Sequence, residues 1–264
     1  MKIISGKIKR AQKVVIYGPE GIGKTTLASK FPDPLFIDTE SGTCHLDVKR
    51  FESIKSFSDL MDAVTYVGQN PDVCQTLIID TMDWAEELII KQVLKEEGWK
   101  NIGEPGYGLG YVALENKVNL FLSYLSRLIE LGINVVLTAH AMMRKFEEPG
   151  NKGAYDRWEL KMAKKTSPVV KEWADTVLFI NYETFVVKDG KAAKGKVTGT
   201  GRRVIYTSHK PEFDAKNRWG LPEEIEAEIE PILPHLLLKE EPKKEPVKTK
   251  AKAKAETAEE EGEK

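Results

Sequence analysis

Residues 18–25 read GPEGIGKT and stand directly behind the apolar run 14–17. Their types and spacing match G-x-x-x-x-G-K-[ST], a pattern that predicts a phosphate-binding P-loop. Its glycines allow backbone N–H groups to surround phosphates, its lysine bridges the β- and γ-phosphates, and its last hydroxyl ligates Mg²⁺. The stretch therefore predicts ATP and Mg²⁺ as cofactors, and a catalytic role for Lys24. The predicted nucleotide-binding residues are Gly18, Pro19, Glu20, Gly21, Ile22, Gly23, Lys24, Thr25 and Thr26.

Two carboxylates that follow apolar runs could complete this chemistry. Asp80 ends the run TLIID, a Walker B pattern that places a carboxylate beside Mg²⁺, opposite Thr25. Glu40 lies in the polar stretch 38–43, which follows the apolar run LFI. Hydrolysis needs a group that orients or deprotonates the attacking water, and the residue directly after Asp80 is Thr81, not a glutamate. Glu40, at the end of the strand before Walker B, resembles the catalytic carboxylate of RecA-like ATPases in its position, and this resemblance makes it the predicted catalytic residue, with helix or turn capping as the alternative.

The elements that must position these groups follow from hydrophobic periodicity. Short apolar runs predict buried strands, and amphipathic stretches of period 3.6 predict helices. Their alternation predicts an α/β fold with a mostly parallel central sheet flanked by helices. Strands are predicted at 14–17, 35–37, 76–81, 133–138 and 176–180, with a C-terminal antiparallel hairpin over 185–206 that turns at 189–190. Helices are predicted behind the P-loop and at 56–68, 82–97, 111–131 and 169–174.

Composition sets the domain organisation. The chain has 264 residues, 41% of them hydrophobic, and a net charge of -1, so any basic surface must be local. The strongest basic segment is 188–210, with seven Lys or Arg against one Asp. Residues 1–238 are predicted to form one domain. From residue 239 the sequence turns to Lys, Glu, Pro and Ala without apolar periodicity, which predicts a disordered charged tail over 239–264.

The cysteines and the absence of long apolar segments indicate where in the cell the protein is expected. Cys44 and Cys74 lack metal-ligand spacing and are predicted to be buried thiols in a reducing compartment. No segment reaches the roughly 18 apolar residues that suggest a membrane span, and the N-terminus has no signal-peptide core. We therefore expect a cytoplasmic protein with no membrane partner.

Several blocks of sequence carry a resemblance to a known family. The stretch PLFIDTESGT resembles the IDTEGT segment of archaeal and eukaryotic strand-exchange recombinases. Together with the P-loop block, TLIIDTMDWAE, INVVLTAHAMMRKFE, GAYDRWELKMAKK and DAKNRWGLP, it resembles phage-encoded RecA-core ATP-binding proteins with an AAA-family label. Within that group the chain is similar to the fourth group of phage Sak recombination proteins. The resemblance implies a RecA-like fold and single-strand annealing, recombination or replication in the host cytoplasm beside a single-stranded-DNA-binding protein.

The resemblance also implies residue roles. His140 stands where RecA-like proteins place a γ-phosphate sensor, and segments 98–110 and 141–165 match their two DNA-binding loops. Lys216 and Arg218 resemble the K-x-R pair that hexameric relatives insert into a neighbour's nucleotide site, which would require a homo-oligomer. Cations that track phosphates and rings that stack on bases suit single-stranded DNA. The predicted nucleic-acid-binding residues are Arg144, Lys145, Tyr155, Arg157, Trp158, Lys161, Lys164, Lys165, Arg202 and Arg203.

The sequence leaves several alternatives open. A P-loop kinase of a small molecule would use an arginine-rich lid near the phosphates, and segment 141–165 could be such a lid. A non-catalytic, nucleotide-gated scaffold would use the tail to bind partners. His140 could be an ordinary core residue, and Lys216 and Arg218 could belong to a surface turn. The oligomeric state and the choice between DNA and RNA stay open as well.

Overall fold

A computed structural model describes residues 3–147, 153–187 and 196–238. These residues form one nine-stranded sheet. Strands β3, β2, β4, β5, β1 and β7 lie side by side in that order and are parallel, and β8 and β9 extend the sheet antiparallel beyond β7. The strands are β1 (Lys13–Gly18), β2 (Pro34–Asp38), β3 (Lys49–Arg50), β4 (Thr76–Asp80), β5 (Asn134–Phe146), β6 (Tyr155–Leu160), β7 (Thr176–Val187), β8 (Lys196–Tyr206) and β9 (Glu224–Glu226).

Within the described residues, five α-helices cover the sheet. They are α1 (Lys24–Ala28), α2 (Phe57–Gln69), α3 (Met82–Glu97), α4 (Leu109–Glu130) and α5 (Thr166–Trp173). Because side chains alternate along a strand, each central strand feeds two cores. Val15 and Tyr17 pack with the apolar faces of α2, α3, α4 and α5, whereas Val14 and Ile16 pack with α1 and with the C-terminal segment around Ile232. The helix α2 begins at a capping box in which Ser56 and Asp59 exchange hydrogen bonds.

This architecture confirms the predicted fold. A mostly parallel sheet lies between helices, and one strand, β5, separates the P-loop strand β1 from the Walker B strand β4, as in RecA-like P-loop proteins. The antiparallel pair β7–β8 is the predicted C-terminal hairpin. Its turn at 189–190 and the tail at 239–264 lie outside the described residues. Among the described helices, none combines the length and apolarity that crossing a membrane requires.

Two local predictions were wrong. The strand predicted to end at residue 138 continues to Phe146, because its second half pairs antiparallel with β6, whose backbone supplies the hydrogen bonds. Part of the polar stretch 141–165 is therefore a β-hairpin rather than a loop. Cys44 was expected to be buried, but it is exposed, since the polar turn after β2 carries it to the surface; Cys74 is buried as predicted.

Candidate active site

The predicted site residues meet at the carboxyl edge of the parallel sheet. Gly18 at the end of β1 lies beside His140 on β5, and Asp38 at the end of β2 lies beside Asp80 at the end of β4. Because parallel strands end on the same side, the P-loop and the two predicted carboxylates of strands β2 and β4 share one edge. This is the edge at which open α/β sheets bind ligands.

The P-loop folds tightly against the sheet. A Cβ on Gly18 would lie 2.2 Å from the carbonyl oxygen of Ile180, so only glycine fits at the first position of the motif. The Lys24 ammonium is buried and donates hydrogen bonds to the carbonyls of Gly18 at 3.2 Å and Pro19 at 2.9 Å. Burial lowers the pKa of Lys24, although the nearby Asp83 and Asp80 oppose the shift. The lysine is thus held at the position where the motif needs a cation.

A hydroxyl and a carboxylate form the candidate magnesium site. Thr25 Oγ1 donates to Asp80 Oδ2 at 2.9 Å, and the Thr138 hydroxyl donates to the other oxygen of Asp80. Burial raises the pKa of Asp80, and the two hydroxyls oppose that shift. Mg²⁺ prefers oxygen ligands and is commonly held by one or two carboxylates together with phosphate oxygens. The donor set therefore fits Mg²⁺, which Thr25 and Asp80 would hold and which would neutralise phosphate charge.

A network of hydrogen bonds fixes the turn that carries Glu40. Asp38 accepts from the backbone N–H groups of Glu40 at 3.1 Å, Gly42 at 3.2 Å and Thr43 at 2.9 Å. Burial alone would raise the pKa of Asp38, but these bonds and the Thr43 hydroxyl outweigh it and lower the pKa. The N–H of Thr39 also donates to the carbonyl of Asp80 at 2.8 Å. Glu40 is therefore anchored to the strand that ends in Asp80.

Glu40, His140 and Asp83 form a chain of contacts. The Asp83 carboxylate accepts from the backbone N–H of His140 at 3.0 Å and lies 2.8 Å from His140 Nδ1. Because a carboxylate only accepts hydrogen bonds, the proton of this bond belongs to Nδ1. The other ring nitrogen, Nε2, lies on the side of Glu40. The distance from His140 Nε2 to Glu40 Oε2 is 3.9 Å. Asp83 thus sets both the position and the tautomer of the histidine.

The electrostatics of Glu40 suit a proton acceptor. Burial raises its pKa, as do the neighbouring Asp83 and Asp80, while His140 and Lys24 oppose the shift. A carboxylate with a raised pKa accepts a proton more readily, and about a third of the Glu40 side chain stays exposed. The Glu40 carboxylate is therefore suited to accept a proton from a water molecule at this edge of the sheet, which also carries the P-loop.

Sequence reasoning missed Asp83 and Thr138. An aspartate in the first turn of a helix is ordinary at that position, so Asp83 gave no separate signal. Thr138 ends a predicted buried strand, and a threonine at that position gives no sign of a role in the site. Their functional partners, His140 and Asp80, lie 57 and 58 residues away in the chain, so no local pattern marks the pairs.

We predict that Asp83→Asn lowers the free energy of unfolding at pH 7 by about 1.5–3 kcal/mol, the value of hydrogen bonds to a charged group. Hydrogen bonds from His140 hold the pKa of Asp83 below its usual value despite burial. This contribution to stability is therefore complete above the unfolded-state pKa of about 3.9 and is lost as the pH falls through the lower folded-state value. Denaturant unfolding between pH 7 and 3 measures it. A gap between the two proteins that does not shrink toward pH 3 would contradict the prediction.

The predicted nucleic-acid-binding residues fall into groups of different exposure. Arg157 is buried and pairs with Asp214, Arg144 is half-buried and donates to the carbonyl of Met162, and Trp158 packs against the core. These contacts give the three residues structural roles. The exposed cations of the β5–β6 hairpin and of the loop behind it are Lys145, Lys161, Lys164 and Lys165, with Tyr155 half-buried beside them. Arg202 and Arg203 lie on β8, away from this hairpin in the sheet order.

The two predicted finger residues differ in their surroundings. Lys216 Nζ donates to the carbonyls of Lys171, Glu172 and Ala174, at the C-terminal end of α5. Arg218 is exposed, with its Nη1 3.3 Å from Asp175 Oδ1. Lys216 therefore caps a helix within its own subunit, and its role as a finger stays a prediction that would require leaving this cap.

Lys216→Met is expected to lower the free energy of unfolding by about 1–2 kcal/mol, because α5 loses the cation at its C-terminus. Arg218→Met is the control, since its exposed ion pair is worth less than about 1 kcal/mol. Thermal or denaturant unfolding of both variants distinguishes the cap from a finger. Unchanged stability of Lys216→Met, combined with loss of nucleotide turnover, would contradict the capping role.

The fold and the site together define a P-loop NTPase. The family described as "AAA domain" matches residues 10–219, and the chain belongs to this family. The chain is 25% identical over 230 residues to the SPbeta prophage-derived uncharacterized protein YorG of Bacillus subtilis (strain 168), an alignment that covers 82% of this chain and 65% of that protein. The chain thus spans less than two thirds of that relative's length.

Among solved structures, the KaiC-like protein PH0186 from the hyperthermophilic archaeon Pyrococcus horikoshii OT3 is similar at 14% identity. The match covers 75% of this chain and 78% of that one, with a TM-score of 0.37. A similarity at this level carries no argument about mechanism. The RecA-like character of the fold rests on the strand order and on the position of the P-loop.

Proposed function

We propose that the chain is an ATP- and Mg²⁺-dependent ATPase that binds single-stranded DNA and acts in phage recombination, annealing or replication. The observation that carries the proposal is the continuity of β5. Up to His140 this strand lies in the central sheet, and from Ala141 onward the same strand pairs with β6 in the basic hairpin. One rigid element therefore joins the candidate γ-phosphate site to the candidate DNA surface.

The path from the nucleotide to the hairpin is short. Glu40 is the proposed acceptor of the proton from the attacking water, and its Oε2 lies 3.9 Å from His140 Nε2. The carbonyl of His140 accepts from the N–H of Lys161 at 2.8 Å, at the point where β6 ends. A movement of His140 when ATP is hydrolysed would therefore also displace Lys161 and the loop that follows β6. This supports coupling between nucleotide state and DNA affinity.

The charge of the hairpin suits a nucleic-acid backbone. Lys145, Lys161, Lys164 and Lys165 are exposed, and Tyr155 offers a ring that could stack on a base. Similarity to a prophage protein supports the phage setting of the proposal. The proposed partners are single-stranded DNA and a single-stranded-DNA-binding protein. Assembly into a homo-oligomer is tested by measuring how the activity per subunit depends on protein concentration.

DNA binding can be tested by fluorescence anisotropy of a labelled oligo-dT with ATP, with ADP and without nucleotide. We expect nucleotide-dependent affinity with a salt slope that Lys164→Gln/Lys165→Gln reduces, by roughly 0.7 for each phosphate that the variant no longer neutralises. The control is Lys91→Gln/Lys95→Gln, two exposed lysines near the far end of α3. Equal slopes for both double variants would contradict a DNA surface behind β6.

Two other outcomes would favour the alternative functions. Transfer of the γ-phosphate to a nucleoside or metabolite, with no effect of DNA on the rate, would identify a small-molecule kinase. Nucleotide binding without hydrolysis, with or without DNA, would identify a non-catalytic scaffold.

A further inference from the structure

Arg203, predicted from the sequence to bind nucleic acid, lies against the P-loop. Its Nη1 donates to the carbonyl oxygen of Ile22 at 3.2 Å, across 181 residues of sequence. The contact is close, since a Cβ built on Gly23 would lie 2.4 Å from Nη1. Arg203 remains an exposed residue overall, so its guanidinium sits between solvent and the loop. Arg203 thus joins strand β8 to the phosphate-binding loop by a side-chain hydrogen bond, beside the close packing of Ile180 of β7 on Gly18.

The strand register explains this placement. Ile180 on β7 pairs with Ile205 on β8, and both are buried in the core that also contains Ile22. Arg203 is two residues before Ile205 and therefore points to the same face of the sheet. Arg202 points to the opposite face, where it pairs with Glu226 at 3.1 Å. Neighbouring arginines on one strand thus have different surroundings, and only Arg203 reaches the P-loop.

The contact fixes the orientation of one peptide group. In a planar trans peptide the C=O and the following N–H point in opposite directions. Because the Ile22 carbonyl turns outward to Arg203, the N–H of Gly23 points to the other side, into the loop. In P-loops the backbone N–H groups of this segment surround the phosphates. The φ of +100° at Gly23 shows that this peptide has a conformation that favours glycine, and an external hydrogen bond helps to hold it.

We propose that Arg203 is a positioning residue of the nucleotide site: its guanidinium holds the Ile22–Gly23 peptide with the Gly23 N–H facing the phosphates. The inference rests on the proposed nucleotide binding and adds a residue that is supplied by the same subunit. The position of the β7–β8 hairpin then influences nucleotide affinity, because any shift of β8 moves the Arg203 guanidinium away from the Ile22 carbonyl. Since the peptide serves phosphates that ATP and ADP share, both nucleotides depend on it equally.

The test is titration of fluorescent ATP and ADP analogues with Mg²⁺ and without DNA. We expect Arg203→Gln to weaken both nucleotides by the same factor, about 10- to 100-fold, the range of a hydrogen bond to a charged group. Arg203→Lys keeps the charge and one donor and is expected to recover most of the affinity. Arg127→Gln, which changes an exposed arginine in the last turn of α4, is the control and is expected to bind both nucleotides as the wild type does. The midpoint of thermal unfolding, measured for each variant, separates loss of positioning from loss of fold.

Three outcomes would overturn the inference. These are unchanged affinity in Arg203→Gln, an equal loss in Arg127→Gln, and a loss confined to ATP, which would indicate a γ-phosphate contact instead. If Arg203→Gln does not fold, Arg203→Met, which keeps the aliphatic stem, takes its place under the same criteria. A wild-type chain that binds neither nucleotide would contradict the proposed function itself, whereas wild-type binding with equal affinity in Arg203→Gln contradicts only the role of Arg203.

Discussion

Replacing Lys24 with alanine is expected to lower the affinity for ATP by roughly 100-fold or more, because the loop loses the cation that meets two phosphates. In the described structure the Lys24 ammonium rests on the carbonyls of Gly18 and Pro19, so it is already confined to the loop. Removing it leaves those two acceptors facing the phosphates with no donor between them. Isothermal titration or a fluorescent ATP analogue with Mg²⁺ measures the effect.

A second lysine provides the matched control for this prediction. Lys30 lies just beyond the end of α1, is exposed and pairs with Glu228 on the surface. Lys30→Ala removes the same charge from the same region and is expected to leave ATP affinity within about twofold, since exposed ion pairs contribute little. ATP binding by Lys24→Ala at the wild-type level would show that the P-loop does not hold the nucleotide.

Glu40→Gln is expected to keep ATP affinity within about threefold and to lower the rate of hydrolysis by about 10²–10⁴, the range that a positioned general base contributes. Glutamine has nearly the shape of glutamate, so the turn held by Asp38 should remain, but an amide does not accept the proton of the attacking water. Phosphate release under saturating ATP measures turnover, and equilibrium titration measures binding in the same preparation.

The control for Glu40→Gln is Glu52→Gln, an exposed glutamate just beyond β3. It makes the same chemical change near the same sheet edge, and it should leave both binding and turnover as in the wild type. Equal turnover in Glu40→Gln and wild type would contradict the catalytic role and would favour the capping alternative. A parallel loss of binding and turnover would place Glu40 in nucleotide binding instead.

The sequence was sufficient for the parts of the site that lie in continuous motifs. The P-loop, Asp80 and Glu40 each follow an apolar run, and buried parallel strands bring the ends of such runs to one edge. For this reason the α/β class, the sheet and the meeting of these groups could be predicted. The structure adds the fixed geometry, such as the bonds from Asp38 that hold the Glu40 turn.

The remaining features depend on contacts between distant parts of the chain. The second half of β5 has no clear alternation of polar and apolar residues, and only its pairing with β6 makes it a strand. Asp83 resembles any acidic residue in a first helical turn until His140 is found beside it. Arg203 belongs to a basic segment by sequence, and only the register of β7 and β8 places it on the P-loop.

The most direct test of a DNA-handling ATPase is phosphate release by the purified chain with ATP and Mg²⁺, with and without single-stranded DNA, across protein concentrations. We predict slow turnover without DNA and stimulation by about 5- to 150-fold with saturating DNA, the usual range of coupling between two sites. A rate per subunit that rises with protein concentration would indicate that the active form is an oligomer. Such an oligomer is what a contact of Arg218 with a neighbouring subunit requires. A rate that saturating DNA leaves unchanged at every protein concentration would contradict coupling between the Glu40 site and the β5–β6 hairpin.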